Sequence, residues 1–276
     1  MSYVIPNISL NNGVLMPQLG FGVFQVPDEE TAAAVDAALK AGYRSIDTAS
    51  VYGNESGVGR AIAASGIARD ELFITSKVWV EDMGYEQTLA AFEVSLEKLG
   101  VGYLDLYLIH WPAPGKGQAS ESWRAMEKLY ADGKVRAIGV SNFQPEHLAQ
   151  LIDGANIVPA VNQVELHPAL QNRAVVEANR VHGIITEAWS PLAQGAMLIE
   201  ESIIAIARIH GVSPAQVVLR WHLQQGRVVI PKSVSPTRIA ANLDVFGFEL
   251  TELELSSIDS LERAGRTGPD PDIFNG

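Results

Sequence analysis

Residues 72–111 read LFITSKVWVEDMGYEQTLAAFEVSLEKLGVGYLDLYLIHW. They begin with a short apolar run, 72–79, which is rich in β-branched and aromatic side chains and is typical of a buried strand. Residues 85–100 follow with helical spacing of apolar side chains and end at glycine, a residue that commonly closes a helix. A second apolar run, 104–111, predicts another strand. A helix between two strands indicates parallel pairing through a right-handed crossover.

The same alternation continues towards both ends of the chain. Eight strands are predicted, at residues 19–24, 44–49, 72–79, 104–111, 135–142, 159–166, 184–191 and 228–234. Helices are predicted at residues 28–42, 85–100, 120–133 and 213–226, and two more follow the eighth strand, at 235–246 and 250–261. In a chain of 276 residues, this pattern predicts an α/β fold, a (β/α)8 TIM barrel with extra C-terminal helices.

Both ends of the chain carry additional elements. An Asn-Gly pair within residues 8–17 predicts an N-terminal β-hairpin at the bottom of the barrel. The tail, 265–276, is rich in glycine and proline and is expected to form an irregular flap. Because no linker interrupts the pattern, a single domain is predicted over residues 1–276. A doubly wound sheet is the alternative, but its G-x-G-x-x-G motif would need glycine where the chain has Gln25.

Composition limits the classes of partner. The chain has 20 basic and 32 acidic residues, a net charge of −12, which argues against binding to nucleic acid. It has no cysteine, which excludes disulfides and thiolate chemistry. Its start lacks the features of a signal peptide, and no apolar run approaches the roughly 20 residues of a membrane span. We therefore expect a cytoplasmic protein without membrane partners.

Ionisable side chains occur where several predicted strands end. Asp47 ends the second strand, Lys77 lies in the third, His110 ends the fourth, and Tyr52 follows in the loop after the second. Each alone has an ordinary structural explanation, such as a cap, a snorkelling amine or packing. Together they would be costly to bury unless they paired. The active sites of barrels lie at this end, so Asp47 and Lys77 are predicted to pair close to Tyr52 and His110.

The predicted cluster suits carbonyl reduction. A free phenol, with a pKa of about 10, is a poor acid near neutrality. An ammonium beside it favours the phenolate, which would help Tyr52 to give its proton to a forming alkoxide. His110 could donate to, or orient, the same oxygen. No serine or cysteine nucleophile motif supports hydrolysis, and the histidine spacing predicts no metal site.

A second group of residues could hold a flat ring and a phosphate. Ser141, Asn142 and Gln163 lie at the ends of the fifth and sixth strands, where they could bind a carboxamide or simply satisfy the strand ends. Trp189 could stack on a ring. Lys232, Ser233, Ser235 and Arg238 surround a predicted helix start, an arrangement that favours a phosphate ester.

Seven stretches resemble the aldo-keto reductase family over essentially the whole chain: GYRSIDTASVYGNE, ITSKVW, DLYLIHWP, IGVSNF, NQVELHP, WSPLAQG and IPKSV. The chain is most similar to the short bacterial 2,5-diketo-D-gluconate reductase-like subgroup, whose members also act on methylglyoxal and related dicarbonyls. The resemblance implies a catalytic tetrad of Asp47, Tyr52, Lys77 and His110, with Tyr52 as general acid. It also implies NADPH as cofactor and a monomer.

The resemblance further implies two sets of binding residues. The cofactor set is Gly22, Val23, Phe24, Asp47, Ser141, Asn142, Gln163, Trp189, Ser190, Pro191, Leu192, Gln194, Gly195, Lys232, Ser233, Val234, Arg238 and Asn242. The substrate set is Phe24, Tyr52, Trp79, His110 and Trp111. Two departures are expected to loosen the cofactor site: Ala241 stands where many relatives have glutamate, and the stretch after Gly195 is short.

The leading hypothesis is therefore NADPH-dependent reduction of small aldehydes, ketones or dicarbonyls. A non-catalytic NADP(H)-binding sensor or scaffold is the alternative. A Schiff-base aldolase that uses Lys77 is a third reading, which the neighbouring Asp47 disfavours because it would keep the amine protonated.

Overall fold

The computed structural model describes residues 5–276; residues 1–4, which belong to the start expected to lack a signal peptide, lie outside the described residues. The first element is an antiparallel hairpin of β1 (Asn7–Ser9) and β2 (Leu15–Pro17). Gly13 in its turn has a φ of +83°, a conformation that glycine adopts without strain. Leu10 and Met16 are buried against side chains of the barrel strands. The hairpin therefore plugs the lower end of the barrel.

Eight parallel strands follow. They are β3 (Phe21–Gly22), β4 (Ser45–Asp47), β5 (Phe73–Val78), β6 (Leu104–Ile109), β7 (Val135–Ser141), β8 (Val161–Glu165), β9 (Ile185–Trp189) and β10 (Val228–Val229). Each strand pairs with its neighbour in the chain. A parallel bridge between Leu19 and Val229 joins the first strand to the last. The sheet is closed, which confirms the predicted (β/α)8 barrel and excludes the doubly wound alternative.

The two strands at the point of closure are shorter than predicted. Runs 19–24 and 228–234 were expected to be strands, but regular pairing covers only β3 and β10. Pro231 has no N–H to donate to a ladder. Its carbonyl still accepts a hydrogen bond from Gly22 N at 3.3 Å. The chain thus stays extended beyond β10 while losing the regular ladder.

Helices surround the barrel. They are α1 (Asp28–Ala41), α2 (Glu55–Ser65), α3 (Tyr85–Leu99), α4 (Ala119–Ala131), α5 (Pro145–Asp153), α6 (Arg173–Val181), α7 (Glu201–His210), α8 (Pro214–Gln224), α9 (Pro236–Leu243) and α10 (Glu252–Asp259). Within residues 5–276 no single helix is long and apolar enough to cross a bilayer, although α7 and α8, bent by 90°, would meet these limits as a pair.

Four helices, α2, α5, α6 and α7, were not predicted from the sequence. In α2 the reason is visible, because Gly57 and Gly59 lower its helix propensity. Both glycines lie at close contacts: a Cβ on Gly59 would come within 2.6 Å of Leu99 O, and one on Gly57 within 2.7 Å of Asp28 O. Close packing against α3 and the start of α1 thus outweighs local propensity.

The interior of the barrel changes in polarity along its axis. Apolar side chains from the hairpin and the strands form one buried cluster, which includes Leu106, Leu108 and Val161. Ionisable and amide side chains of Asp47, Lys77, Gln163 and Glu187 form a separate set, and each of them is at most 3% exposed. This polar set lies where the strands end and determines where chemistry can occur.

Candidate active site

A buried ion pair lies at the carboxyl ends of β4 and β5. Lys77 Nζ is 2.7 Å from Asp47 Oδ1 and donates a second hydrogen bond to Thr48 O at 2.9 Å. Burial, the largest single effect, acts to lower the pKa of Lys77, but its neighbours together, Asp47 foremost, outweigh burial, and the pKa is raised. Lys77 is therefore an ammonium. Removing one member of such a pair typically costs about 3–5 kcal/mol because the other charge is left uncompensated.

Tyr52 projects from a single 3-10 turn, Ser50–Tyr52, which ends at Gly53 with a φ of +68°. Its hydroxyl is 3.5 Å from His110 Nε2, and Lys77 Nζ is 5.2 Å from the centre of its ring. Burial raises the pKa of Tyr52 to about 12, while Lys77 acts to lower it. The ammonium acts in the expected direction, but desolvation is the larger effect. The resting phenol is thus a weaker acid than free tyrosine.

His110 follows directly after β6 and is buried. Desolvation, and then the charge of Lys77, hold the pKa of His110 well below its usual range, so the ring is neutral. Nδ1 is buried without a hydrogen-bond partner among the described residues. A neutral imidazole carries one N–H, which at Nε2 would point towards the Tyr52 hydroxyl 3.5 Å away. The structure therefore brings together all four predicted tetrad side chains.

The predicted carboxamide-binding residues already use their donors inside the protein. Ser141 Oγ donates to Gln163 O at 2.7 Å, and Asn142 Nδ2 donates to His110 O at 2.9 Å. Gln163 Nε2 donates at 2.8 Å to both Asp47 and Glu187. The donor groups of Ser141, Asn142 and Gln163 are thus all used within the protein, at the ends of the strands. Acceptor lone pairs on Ser141 Oγ, Asn142 Oδ1 and Gln163 Oε1 remain for the N–H groups of a ligand.

Trp189, at the end of β9, is held on two sides. Its Nε1 donates to Asn142 Oδ1 at 2.8 Å. The C-terminal tail crosses its ring so closely that a Cβ on Gly268 would come within 2.5 Å of Cη2. The ring remains only half-buried. A fixed, partly open indole is a suitable stacking surface for a flat ligand.

The segment after Trp189 has an unusual backbone. Ser190, Ala193, Gln194 and Gly195 have φ values of +47°, +48°, +54° and +99°. Each residue other than glycine in this region costs about 1–2 kcal/mol, and such conformations cluster at functional sites. Pro191, Leu192, Gln194 and Gly195, all predicted cofactor contacts, belong to this segment. It lies on the same rim as Trp189, which places it beside the stacking surface.

A cationic surface lies at the start of α9. Ser235 caps this helix by accepting a hydrogen bond from Arg238 N. Lys232 and Arg238 are exposed, and neither forms a salt bridge within residues 5–276. Two unpaired cations beside a helix N-terminus favour an anion, although the net charge of the protein is −12. The other predicted contacts here are Ser233 and Asn242, which are buried, and Val234, which is exposed.

The remaining predicted cofactor contacts lie after β3. Val23 is buried, and its N–H donates to Asp47 O at 3.1 Å. At Gly22 a Cβ would lie 2.9 Å from Ile230 O, so only glycine fits this approach. Phe24 is 54% exposed, and its ring centre is 4.9 Å from that of Tyr52. The chain thus turns outward at Phe24, which borders the entrance to the cluster.

Further aromatic rings lie beside His110. The centre of the Trp79 ring is 5.1 Å from that of His110 and 6.0 Å from that of Phe274. Trp111 lies 4.5 Å from Phe274 by the same measure. Trp79 and Trp111 were predicted from the sequence, whereas Phe274 was not. The tail that carries Phe274 has no periodicity from which such a contact could be inferred.

Two carboxylates of the site were also missed. Glu165 is fully buried and anchors the tail by accepting hydrogen bonds from Thr267 N at 2.7 Å and Gly268 N at 3.0 Å. Glu187 is bonded to Gln163 inside the barrel. A carboxylate within each apolar run, 159–166 and 184–191, was the available signal. Within the described residues, no three histidine, aspartate or glutamate side chains come together as a metal site.

Comparisons with known proteins agree with this geometry. The model of the Aldo/keto reductase family matches residues 18–263. Glyoxal reductase of Bacillus subtilis (strain 168) is 56% identical over 266 residues, 96% of each chain. Methylglyoxal reductase DkgA of Yersinia pestis is 51% identical over 271 residues, 98% of this chain and 97% of the relative.

A solved structure extends the likeness to three dimensions. The crystal structure of a mutant of Gox0644 in complex with NADPH superposes with a TM-score of 0.94 at 48% identity and covers 98% of both chains. The match of the family model, the identity to these relatives over nearly the whole chain and the closed barrel all lead to one assignment. This chain belongs to the aldo/keto reductase family.

Proposed function

We propose that this protein reduces the carbonyl group of small aldehydes, ketones or dicarbonyls with NADPH, and that Tyr52 is the general acid. The observation that carries the proposal is the buried Lys77–Asp47 pair beside a phenol whose hydroxyl faces a neutral His110. The reductase names of the relatives and the NADPH complex of the solved structure support the same chemistry.

The residues present suit NADPH. When bound, this cofactor supplies the hydride for carbonyl reduction. Trp189 offers a ring for stacking, and Gln163 offers an oxygen acceptor for carboxamide N–H groups. Lys232 and Arg238 offer two cations for a 2′-phosphate, which NADH lacks. The charge of this last group is the reason to expect a preference for NADPH.

Tyr52 and His110 would act together on the carbonyl oxygen of the substrate. The neutral His110 donates one hydrogen bond from Nε2 and so orients the oxygen. Tyr52 gives its proton as negative charge develops there. Lys77 then stabilises the phenolate, since an ammonium nearby favours the charged form. Asp47 holds Lys77 in position throughout.

The pocket favours compact substrates. Phe24, Trp79, Trp111 and Phe274 present aromatic surface at the entrance, and Phe24 is itself 54% exposed. Small dicarbonyls of the glyoxal and methylglyoxal type are therefore the first substrates to test, with 2,5-diketo-D-gluconate as a larger candidate. A monomeric state and a cytoplasmic location stay predictions from the sequence.

Steady-state oxidation of NADPH and NADH with a panel of these carbonyls tests the proposal. We expect turnover of at least one dicarbonyl, with NADPH preferred. Tight binding of NADPH without turnover of any carbonyl would instead favour the sensor or scaffold alternative. Trapping of a substrate on Lys77 by borohydride would favour the aldolase, which the raised pKa of Lys77 opposes.

A further inference from the structure

Gln163 joins two buried carboxyl groups inside the barrel. Its Nε2 lies 2.8 Å from Asp47 Oδ2 and 2.8 Å from Glu187 Oε2, so one amide nitrogen donates to both. Gln163 and Glu187 are opposite each other in the β8–β9 register, whereas Asp47 belongs to β4, on the other side of the barrel. Glu187 is thus linked, across the barrel, to the carboxylate that holds Lys77.

The charges of this cluster do not balance if both carboxyl groups are ionised. Lys77 is its cation, and it is bonded to Asp47 at 2.7 Å. Glu187 is 0% exposed, and its Oε1 has no hydrogen-bond partner among the described residues. Two carboxylates that share one buried donor repel each other, and one of them commonly keeps a proton. Within residues 5–276, Asp47 has a salt bridge and Glu187 has none.

We propose that Glu187 is a positioning residue of the reduction site, kept as a neutral carboxylic acid that fixes Gln163 and, through it, Asp47 beside Lys77. Oε2 accepts the amide hydrogen bond, and Oε1 carries the proton. This inference rests on the proposed function for its kinetic test only. The protonation of Glu187 can be measured without any turnover.

The electrostatics of the cluster point the same way. Burial, and then the charge of Asp47, raise the pKa of Glu187 to about 8, although Gln163 and Lys77 oppose this rise. The titratable and charged groups that face Glu187 are Asp47 on β4, Lys77 on β5 and Tyr52 in the turn after β4. On its own sheet it lies opposite Gln163 of β8 and Val228 of β10.

Loss of the Glu187 proton would affect the general acid. A charge on Glu187 raises the pKa of both Tyr52 and Lys77. Tyr52 then becomes a weaker acid, and proton delivery to the substrate slows. The rate of carbonyl reduction by the wild-type protein should therefore decline above about pH 8. Ionisation of Glu187 should cause part of this decline.

Infrared spectroscopy of the wild-type protein labelled with 13C-glutamate tests the protonation directly. We expect the C=O band of a protonated glutamic acid at pH 7, lost as the pH rises towards 9.5. The band should be absent from Glu187→Gln. It should persist in Glu55→Gln, a matched control, because Glu55 is also buried but bonds to Ser76. Absence of a protonated glutamic acid from the wild-type protein at pH 7 would overturn the proposal, and this result requires no variant.

Kinetics test the positioning role. At pH 6.5 we expect Glu187→Gln to keep kcat within about twofold, since an amide replaces a neutral acid, whereas Glu187→Ala should lose about tenfold or more because Gln163 is freed. The decline of kcat above pH 8 should be weaker in Glu187→Gln and unchanged in Glu55→Gln. Identical pH profiles for Glu187→Gln and the wild type would refute the role. If no carbonyl is turned over, the proposed function fails while the infrared result still decides the state of Glu187.

Discussion

The ring of Phe274 lies 4.5 Å, centre to centre, from the indole of Trp111, so the third residue from the chain end meets the residue that follows His110. Asn275 secures this contact by accepting a hydrogen bond from Gly115 N at 2.7 Å. Glu165 anchors the tail at a second point, through Thr267 and Gly268. The tail therefore closes one side of the substrate pocket although it contains no regular helix.

Replacement of Phe274 by alanine should weaken substrate binding rather than proton transfer. The lost ring contacts Trp79 and Trp111 but not Tyr52, so we expect KM for methylglyoxal to rise about threefold to tenfold while kcat changes less than twofold. Steady-state kinetics at saturating NADPH measure both constants. Ile273→Ala is the control, because that neighbouring side chain is 74% exposed. A fall in kcat at unchanged KM would contradict the assigned position.

Tyr52→Phe should remove most of the turnover. Loss of a general acid typically costs about 10²–10⁴-fold in rate, while the ring that contacts Phe24 is retained. We expect the Kd for NADPH, measured by quenching of tryptophan fluorescence, to stay within about twofold. Tyr103→Phe is a suitable control, since Tyr103 lies under Arg69, away from the tetrad. A Tyr52→Phe variant with full activity would remove the basis for Tyr52 as proton donor.

Arg238→Ala should reduce the affinity for NADPH far more than that for NADH. A hydrogen bond to a charged group is worth about 1.5–3 kcal/mol, or roughly tenfold to a hundredfold in Kd. NADH lacks the 2′-phosphate and should lose about twofold at most. Titration of both cofactors into the variant, with Arg208→Ala as an exposed control, measures the difference. Equal losses for the two cofactors would contradict a phosphate contact at Arg238.

Glu165→Gln should destabilise the protein in a pH-dependent way. Although burial acts to raise the pKa of Glu165, hydrogen bonds from His167, Thr267 and Gly268 outweigh it and hold the pKa below its usual range. A carboxyl group whose pKa is lower in the folded than in the unfolded protein stabilises the fold. This contribution is complete above the unfolded-state pKa and is lost as the pH falls through the folded-state pKa.

We therefore expect the variant to lose about 1–3 kcal/mol at pH 7 and to approach the wild type in acid. Thermal unfolding at several pH values between 7 and the acid limit measures this difference in Tm. Glu97→Gln, on the exposed face of α3, should match the wild type throughout. A difference in Tm that grows as the pH falls would show that Glu165 has no depressed pKa.

The sequence by itself determined the barrel and the position of its chemistry. Strand-sized apolar runs that alternate with helices leave few parallel topologies, and every strand then ends on the same rim. Asp47, Lys77 and His110 could therefore be assigned to one site without coordinates. Local sequence patterns were enough for this assignment, because the position of each residue along the barrel axis depends only on where its own strand ends.

Only the tertiary structure decided which polar groups form hydrogen bonds with one another across the barrel. Gln163 reaches from β8 to β4, and Glu187 joins it from β9. Phe274 comes to Trp111 through a tail without periodicity. The same holds for the acidity of Tyr52, since sequence shows the ammonium that lowers its pKa but not the burial that raises it more. Burial and cross-barrel hydrogen bonds depend on all strands at once, and no local stretch of sequence records them.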